Sequence, residues 1–227
     1  MSNQLIKLYE NRATLGLIQE NFDIFYQEWM KSKCQDYDMS SLSAYYDIFF
    51  SRFVTYNAIY NTYTNIIEQF GVKAKRKNKK GKDIEIGDRE KAVLIMSESI
   101  TNVALNDFFS HPEVIEDIKT IIEIIESKEF VITYKHGEPK LIEDEQLKVQ
   151  LMNNQHKIKI ESILTILYNI RCNMFHGSKN FEYSQKKLLK PLNRLLINVV
   201  EMSNKELRNT INKLLVNIEK SINEINL

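Results

Sequence analysis

Apolar residues recur along this chain mostly at the three-to-four-residue spacing of an amphipathic helix, and rarely at the alternation of a strand. A first long helix is predicted over residues 13–33, with Leu17, Phe22, Phe25, Tyr26 and Trp29 on one side of it. A polar break, KCQDYDMSS, separates it from a second helix that Ser40 or Ser41 can cap. That second helix is the most aromatic part of the chain. Tyr45, Phe49, Phe53, Tyr56, Tyr60 and Tyr63 follow one another at spacings of four, four, three, four and three, and Gly71 is placed to end it. Such a stripe can stack nucleobases, but a packed core is its commoner use and is the reading taken. Asp88 is expected to cap a helix beginning REKAVLIM, and a further helix follows to about Phe109. His111-Pro112 then opens one through Ile125, since proline is tolerated in a first turn.

Residues 130–142, FVITYKHGEPKLI, change character: alternating β-formers flank His136-Gly137, which suits a short hairpin. A short helix, EDEQLKVQLMN, and a long one, HKIKIESILTILYNIR, come next. The tail from Ser184 reads as two helical stretches, with Pro191 early in the first and SNKE at Ser203–Glu206 in the form of a capping box for the second. The predicted fold is an all-α bundle with one small β-hairpin near residues 130–142, forming a single domain over residues 1–227.

Composition changes this picture little. Gly (6) and Pro (3) are scarce, as expected for long helices, and 43% hydrophobic residues suffice for a core. The net charge of +1 gives no global attraction to nucleic acid, so any RNA preference must be local. Cys34 and Cys172 have no metal-ligand spacing, and the sequence implies neither a metal nor a cofactor. The N-terminus MSNQLIKLYENR lacks a signal-peptide layout and no apolar run is long enough to span a bilayer; a reducing cytoplasm, away from membranes, is the expected location.

One local patch is basic. Residues 73–82, KAKRKNKKGK, hold seven Lys or Arg in ten positions, repel one another and resist burial, so 73–87 is expected to be a flexible solvated loop. Lys75, Arg76 and Lys77 are candidate RNA-phosphate contacts, and a merely solubilising loop is as good a reading.

The chemistry is expected elsewhere. In LTILYNIRCNMFHGSKN, Arg171 falls four residues after Leu167, on the same face as Ile160, Ile163, Leu164 and Met174. A guanidinium on an apolar stripe is costly unless it is paired or lines a cleft. His176 comes five residues later, about 140° further round an ideal helix, with Gly177 to end the helix behind it. An Arg beside a near-neutral His is what metal-free RNA cleavage needs. The imidazole exchanges a proton with the 2′-hydroxyl or the leaving oxygen, and the guanidinium holds the phosphate and its developing charge. From spacing alone, Arg171 paired with a buried carboxylate and His176 as a mere helix cap is the commoner arrangement, and the residues themselves have to tilt the balance.

The run from Arg171 to His176, followed by Gly177, resembles the R-x4-6-H signature of the HEPN superfamily (higher eukaryotes and prokaryotes nucleotide-binding domains). DIFFSRFVTYNAIYN likewise resembles an earlier bundle helix of its bacterial defence and toxin branches. The resemblance implies a helical bundle and a metal-independent endoribonuclease, with Arg171 binding the scissile phosphate and His176 as general acid or base. It also implies a homodimer that joins two motifs into one cleft, with RNA as substrate and an antitoxin or defence-system protein as a further partner. Lys179 would add to the basic groove. The family commonly has a polar residue, often Asn, directly after the arginine. Here Cys172 stands there and Asn173, one step on, is the candidate supporting residue. That departure keeps a non-catalytic HEPN module, binding RNA, a nucleotide or a partner protein, as the alternative.

Overall fold

The computed structural model describes residues 3–33, 41–70, 76–77, 83–84, 86–175 and 185–226. Among these, helices dominate. Helix α1 (Asn3–Lys33) is followed by α2 (Leu42–Phe70), a two-residue ladder of β1 (Arg76–Lys77) with β2 (Asp83–Ile84), and α3 (Asp88–Glu90). α3 runs through a π-helical turn, Lys91–Ile95, into α4 (Met96–Ser99). The rest is α5 (Asn102–Phe108), α6 (Pro112–Ser127), the hairpin β3 (Tyr134–Lys135) and β4 (Glu138–Pro139), α7 (Leu141–Leu151), α8 (His156–Phe175) and α9 (Lys186–Asn226). The chain is the all-α bundle expected, with its small hairpin at 134–139; the pairing of β1 with β2 is an addition that a run of lysines does not announce. No helix among the described residues is long and apolar enough to cross a membrane.

α2 and α9 pack along each other at the centre, α1 lies over both, and α6, α7, α8 and the π turn complete a ring back to α2. α2 starts where Ser41 Oγ accepts from the Ala44 amide at 3.2 Å, so Ser41 is the cap; Ser40 and Gly71 lie outside the described residues. Its rings Tyr45, Phe49, Phe53, Tyr56 and Tyr60 are buried, so the aromatic stripe is core. In α1 the inward face runs through Leu5, Leu15 and Phe22, which also carries the helix ten residues further towards the N-terminus than expected. Leu17, expected inside, is 60% exposed because it sits two residues, about 200°, from Leu15.

The tail differs more. α9 is one helix of 41 residues, about 60 Å long at 1.5 Å per residue, and it passes straight through SNKE. Ser203 and Glu206 are buried inside it, and Glu206 accepts from the Thr101 hydroxyl at 3.1 Å. A capping sequence is overridden here because Leu188, Leu192, Leu195, Val199, Met202 and Leu207 keep one apolar face unbroken across it. Thr101, capping α5 through the Ala104 amide at 3.3 Å, supplies the partner the carboxylate needs.

Two cationic side chains lock the ring. Lys157 Nζ, at the start of α8, donates to the carbonyls of Ser97 (2.8 Å) and Ile100 (2.5 Å) and closes the open end of α4; burial pulls its pKa down. Arg194 of α9 donates from Nε to both oxygens of Asp117 of α6 at 3.0 Å, and its Nη2 reaches the same carboxylate. Asp117 is fully buried while Arg194 is 44% exposed, and that asymmetry gives a prediction. Arg194→Met leaves a buried carboxylate without its fork and should cost about 3–5 kcal/mol. Asp117→Asn keeps the shape and lets the guanidinium turn to water, costing about 1–3 kcal/mol. Urea unfolding of the two variants should rank them in that order.

Candidate functional site

Arg171 lies in the last turns of α8, where two other elements meet that helix. Its guanidinium carbon is 5.7 Å from the centre of the Phe53 ring of α2 and 5.8 Å from the ring of Tyr168, three residues earlier on its own helix. Nη1 is 3.9 Å from Oδ2 of Asp88, the first residue of α3, and 3.8 Å from the Cys172 sulfur. Two phenols complete the cluster: Tyr60 donates to Asp88 Oδ1 at 2.8 Å and Tyr168 donates to Oδ2 at 3.2 Å. Lys91, one turn beyond Asp88, donates to Asn61 Oδ1 at 3.4 Å, beside Tyr60. The side chain of Arg171 is 25% exposed and that of Asp88 45%, so the cluster opens to solvent.

The arrangement is built from the core outward. Tyr56 and Tyr60 lie edge to face with ring centres 5.4 Å apart, and the Tyr56 hydroxyl donates to the Ala92 carbonyl inside the π turn. That contact fixes the element carrying Asp88 against α2. Asp88 itself is not the cap it resembles in sequence: Gly87 holds the cap position, and the Glu90 carboxylate accepts from the Gly87 amide at 3.3 Å. The Asp88 carboxylate is therefore available to the two phenols.

Electrostatics follow from geometry. Burial, then the hydrogen bond to Asp88 and its charge, push the Tyr60 phenol well above its ordinary range. Burial, then the neighbouring Cys172 and Asp88, do the same to Tyr168. Burial works against the charged guanidinium of Arg171, but Cys172, Asp88 and Tyr168 outweigh it and the pKa stands above its ordinary value. The site holds the Arg171 guanidinium beside the Asp88 carboxylate, and two phenols that stay protonated and donate to that carboxylate.

The opposite side of α8 is tied down. Asn173 donates to the Ile132 carbonyl at 2.8 Å and Asn169 to the Thr133 hydroxyl at 3.0 Å. Both amides of that segment donate to the buried Asp144 carboxylate, at 2.9 and 2.8 Å. Asn173, expected to support Arg171, thus points about 160° away from it around the helix and acts on its orientation instead. The hairpin beyond this segment turns at His136 and Gly137, with φ of 53° and 80°, the pair of positive angles a two-residue type I′ turn requires.

His176, Lys75 and Lys179 lie outside the described residues, and of Arg76 and Lys77 only the backbone is described, in β1. Tyr60, Asp88, Lys91 and Tyr168 were not among the sequence candidates. Tyr168 carried a signal in its place three residues before Arg171, Tyr60 in its place on the aromatic stripe, and Asp88 only as a helix cap. No protein-family model, curated protein or solved structure matches the chain.

The raised phenols make a prediction with a definite sign. A folded-state pKa above the ordinary value of 10.0 contributes stability that is complete below pH 10 and lost as pH climbs towards the folded value. The thermal midpoint should hold level between pH 7 and about 9 and fall beyond about 10. Tyr60→Phe should make the alkaline fall shallower while costing about 1 kcal/mol at neutral pH. An equally steep fall in the variant would remove Tyr60 as its source.

Proposed function

We propose that this chain is a metal-independent endoribonuclease of the HEPN type, with Arg171 holding the scissile phosphate and His176 exchanging protons. The observation that carries the reading is the Arg171 guanidinium, partly exposed at the end of α8 and framed by two aromatic rings, five residues before His176 in the chain. In the reaction the 2′-oxygen attacks phosphorus as its proton passes to an imidazole. Arg171 meets the charge on the phosphorane, and the departing 5′-oxygen takes a proton from an acid. A two-fold dimer would provide one His176 for each role, and would bring Lys179 and the basic residues Lys75, Arg76 and Lys77 to the RNA backbone. The proposed setting is the cytoplasm, in a toxin or antiviral defence system with a protein partner.

A second reading has its own observation. Asp88 already stands beside Arg171, so the guanidinium can serve as a strut between α3 and α8 in a non-catalytic module that binds RNA, a nucleotide or a protein.

The two part company with labelled RNA in EDTA. Under the nuclease reading, cleavage persists, needs the 2′-hydroxyl and leaves a 2′,3′-cyclic phosphate. His176→Ala and Arg171→Ala each slow it by about 10²–10⁴-fold with folding kept, and Arg171→Lys recovers only part, lacking the planar fork. No cleavage alongside retained RNA binding would transfer the case to the module.

The dimer has its own check. Light scattering at micromolar concentration should give twice the mass of 26.8 kDa. Mixing His176→Ala with Arg171→Ala chains should restore part of the activity if the cleft is shared. A monomer at that concentration, with full activity, would exclude the composite site.

A further inference from the structure

We propose that Tyr60, Tyr168 and Arg171 form an oxyanion pocket in which Asp88 is the resident anion, and that a phosphate oxygen takes the carboxylate's place. This rests on the reading of Arg171 as a phosphate-holding group and adds the residues that decide whether it is occupied.

The chain contains its own standard for a structural arginine–carboxylate pair. Arg194 reaches Asp117 through a fork at 3.0 Å, on a carboxylate that is fully buried. The pair at Arg171 differs in each respect. Its closest approach is 3.9 Å, beyond hydrogen-bond length, and the Asp88 side chain is 45% exposed. The bonds Asp88 does make, 2.8 Å from Tyr60 and 3.2 Å from Tyr168, come from hydroxyls that would donate equally to a phosphate oxygen. Its helix does not need it either, since Glu90 closes the cap through Gly87.

Two hydroxyls and a guanidinium from two helices therefore surround one carboxylate that is reachable from solvent, makes no close pair with the arginine and is not the cap of its own helix. With Asp88 turned outward, the same donors face an oxyanion. With Asp88 in place, its charge offsets that of Arg171 and a phosphodiester meets repulsion. The pocket is consequently selective for an anion strong enough to displace a carboxylate, and phosphate, with more oxygens and charge, fits that description.

Titration of the full chain with inorganic phosphate at constant ionic strength, followed by calorimetry, tests this. Wild type should bind weakly, and Asp88→Asn, which keeps the acceptor for a phenol but removes the charge, should bind roughly tenfold tighter. Adding Arg171→Gln to Asp88→Asn should abolish the gain, and adding Tyr168→Phe should remove several-fold of it. Asp88→Ala carries the same expectation should Asp88→Asn not fold; if neither folds, Asp88 is structural and the proposal is overturned. Unchanged or weaker phosphate binding in Asp88→Asn also overturns it, since Asp88 would then orient Arg171 rather than occupy the phosphate's place. Tighter phosphate binding without any RNA cleavage would leave the pocket standing and remove the nuclease reading. RNA cleavage by the wild type with phosphate affinity indifferent to Asp88→Asn would do the reverse.

Discussion

Rings of α2 run as a column through the centre of the bundle, and every phenol in that column has to find an acceptor where its ring comes to rest. Phe49, Phe53, Tyr56 and Tyr60 follow one another at centre distances of 6.1, 5.8 and 5.4 Å. Burying the rings drives the packing of α2 against its neighbours, and an unsatisfied buried hydroxyl would take back much of that gain. Tyr56 is answered by the Ala92 carbonyl in the π turn and Tyr60 by Asp88 just before it. The position of the segment from Asp88 to Ser99 thus follows from two hydroxyls at the end of an apolar column. A π turn at this point is consistent with its use, since such turns carry a side chain or carbonyl out of the regular ladder.

α8 is held from its two sides by different forces, and its rotation follows from both. Ile160, Ile163, Leu164, Leu167 and Ile170 are buried and resist translation, but apolar contact alone tolerates some turning about the helix axis. The amides of Asn169 and Asn173 remove that freedom by hydrogen-bonding to residues 132 and 133, themselves held by the buried Asp144. With that side fixed, Tyr168 and Arg171 project onto Phe53 and Asp88. A guanidinium on the apolar stripe of a helix is tolerated because two rings cover its faces and a carboxylate stands near its edge, while water still reaches it.

The same chemistry thus has two outcomes in one fold, decided by solvent. Arg194 with Asp117 is short, forked and closed over the carboxylate, and ties α9 to α6. Arg171 with Asp88 is long and open. Both pairs consist of an arginine and an aspartate on different helices, so nothing in their residue types separates a tie from a site.

Periodicity located most of the helices: apolar spacing fixes which face of α2 and α8 is inside, and His136-Gly137 fixes a turn because few other pairs adopt two successive positive φ values. Arg171 stood out because a charge on an apolar stripe violates that same pattern. What local pattern could not decide was any choice between competing local rules. SNKE reads as a helix start and Asp88 as a cap, since both sequences satisfy those rules in isolation. Only tertiary packing overrode them, burying Ser203 and Glu206 within an unbroken α9 and giving Asp88 to two tyrosines. The partners of Arg171 come from residues 53, 88 and 168, and two of those three lie more than eighty residues away in the chain. No spacing within a helix encodes such a meeting; it exists because burying the α2 column brings three separate elements to one point.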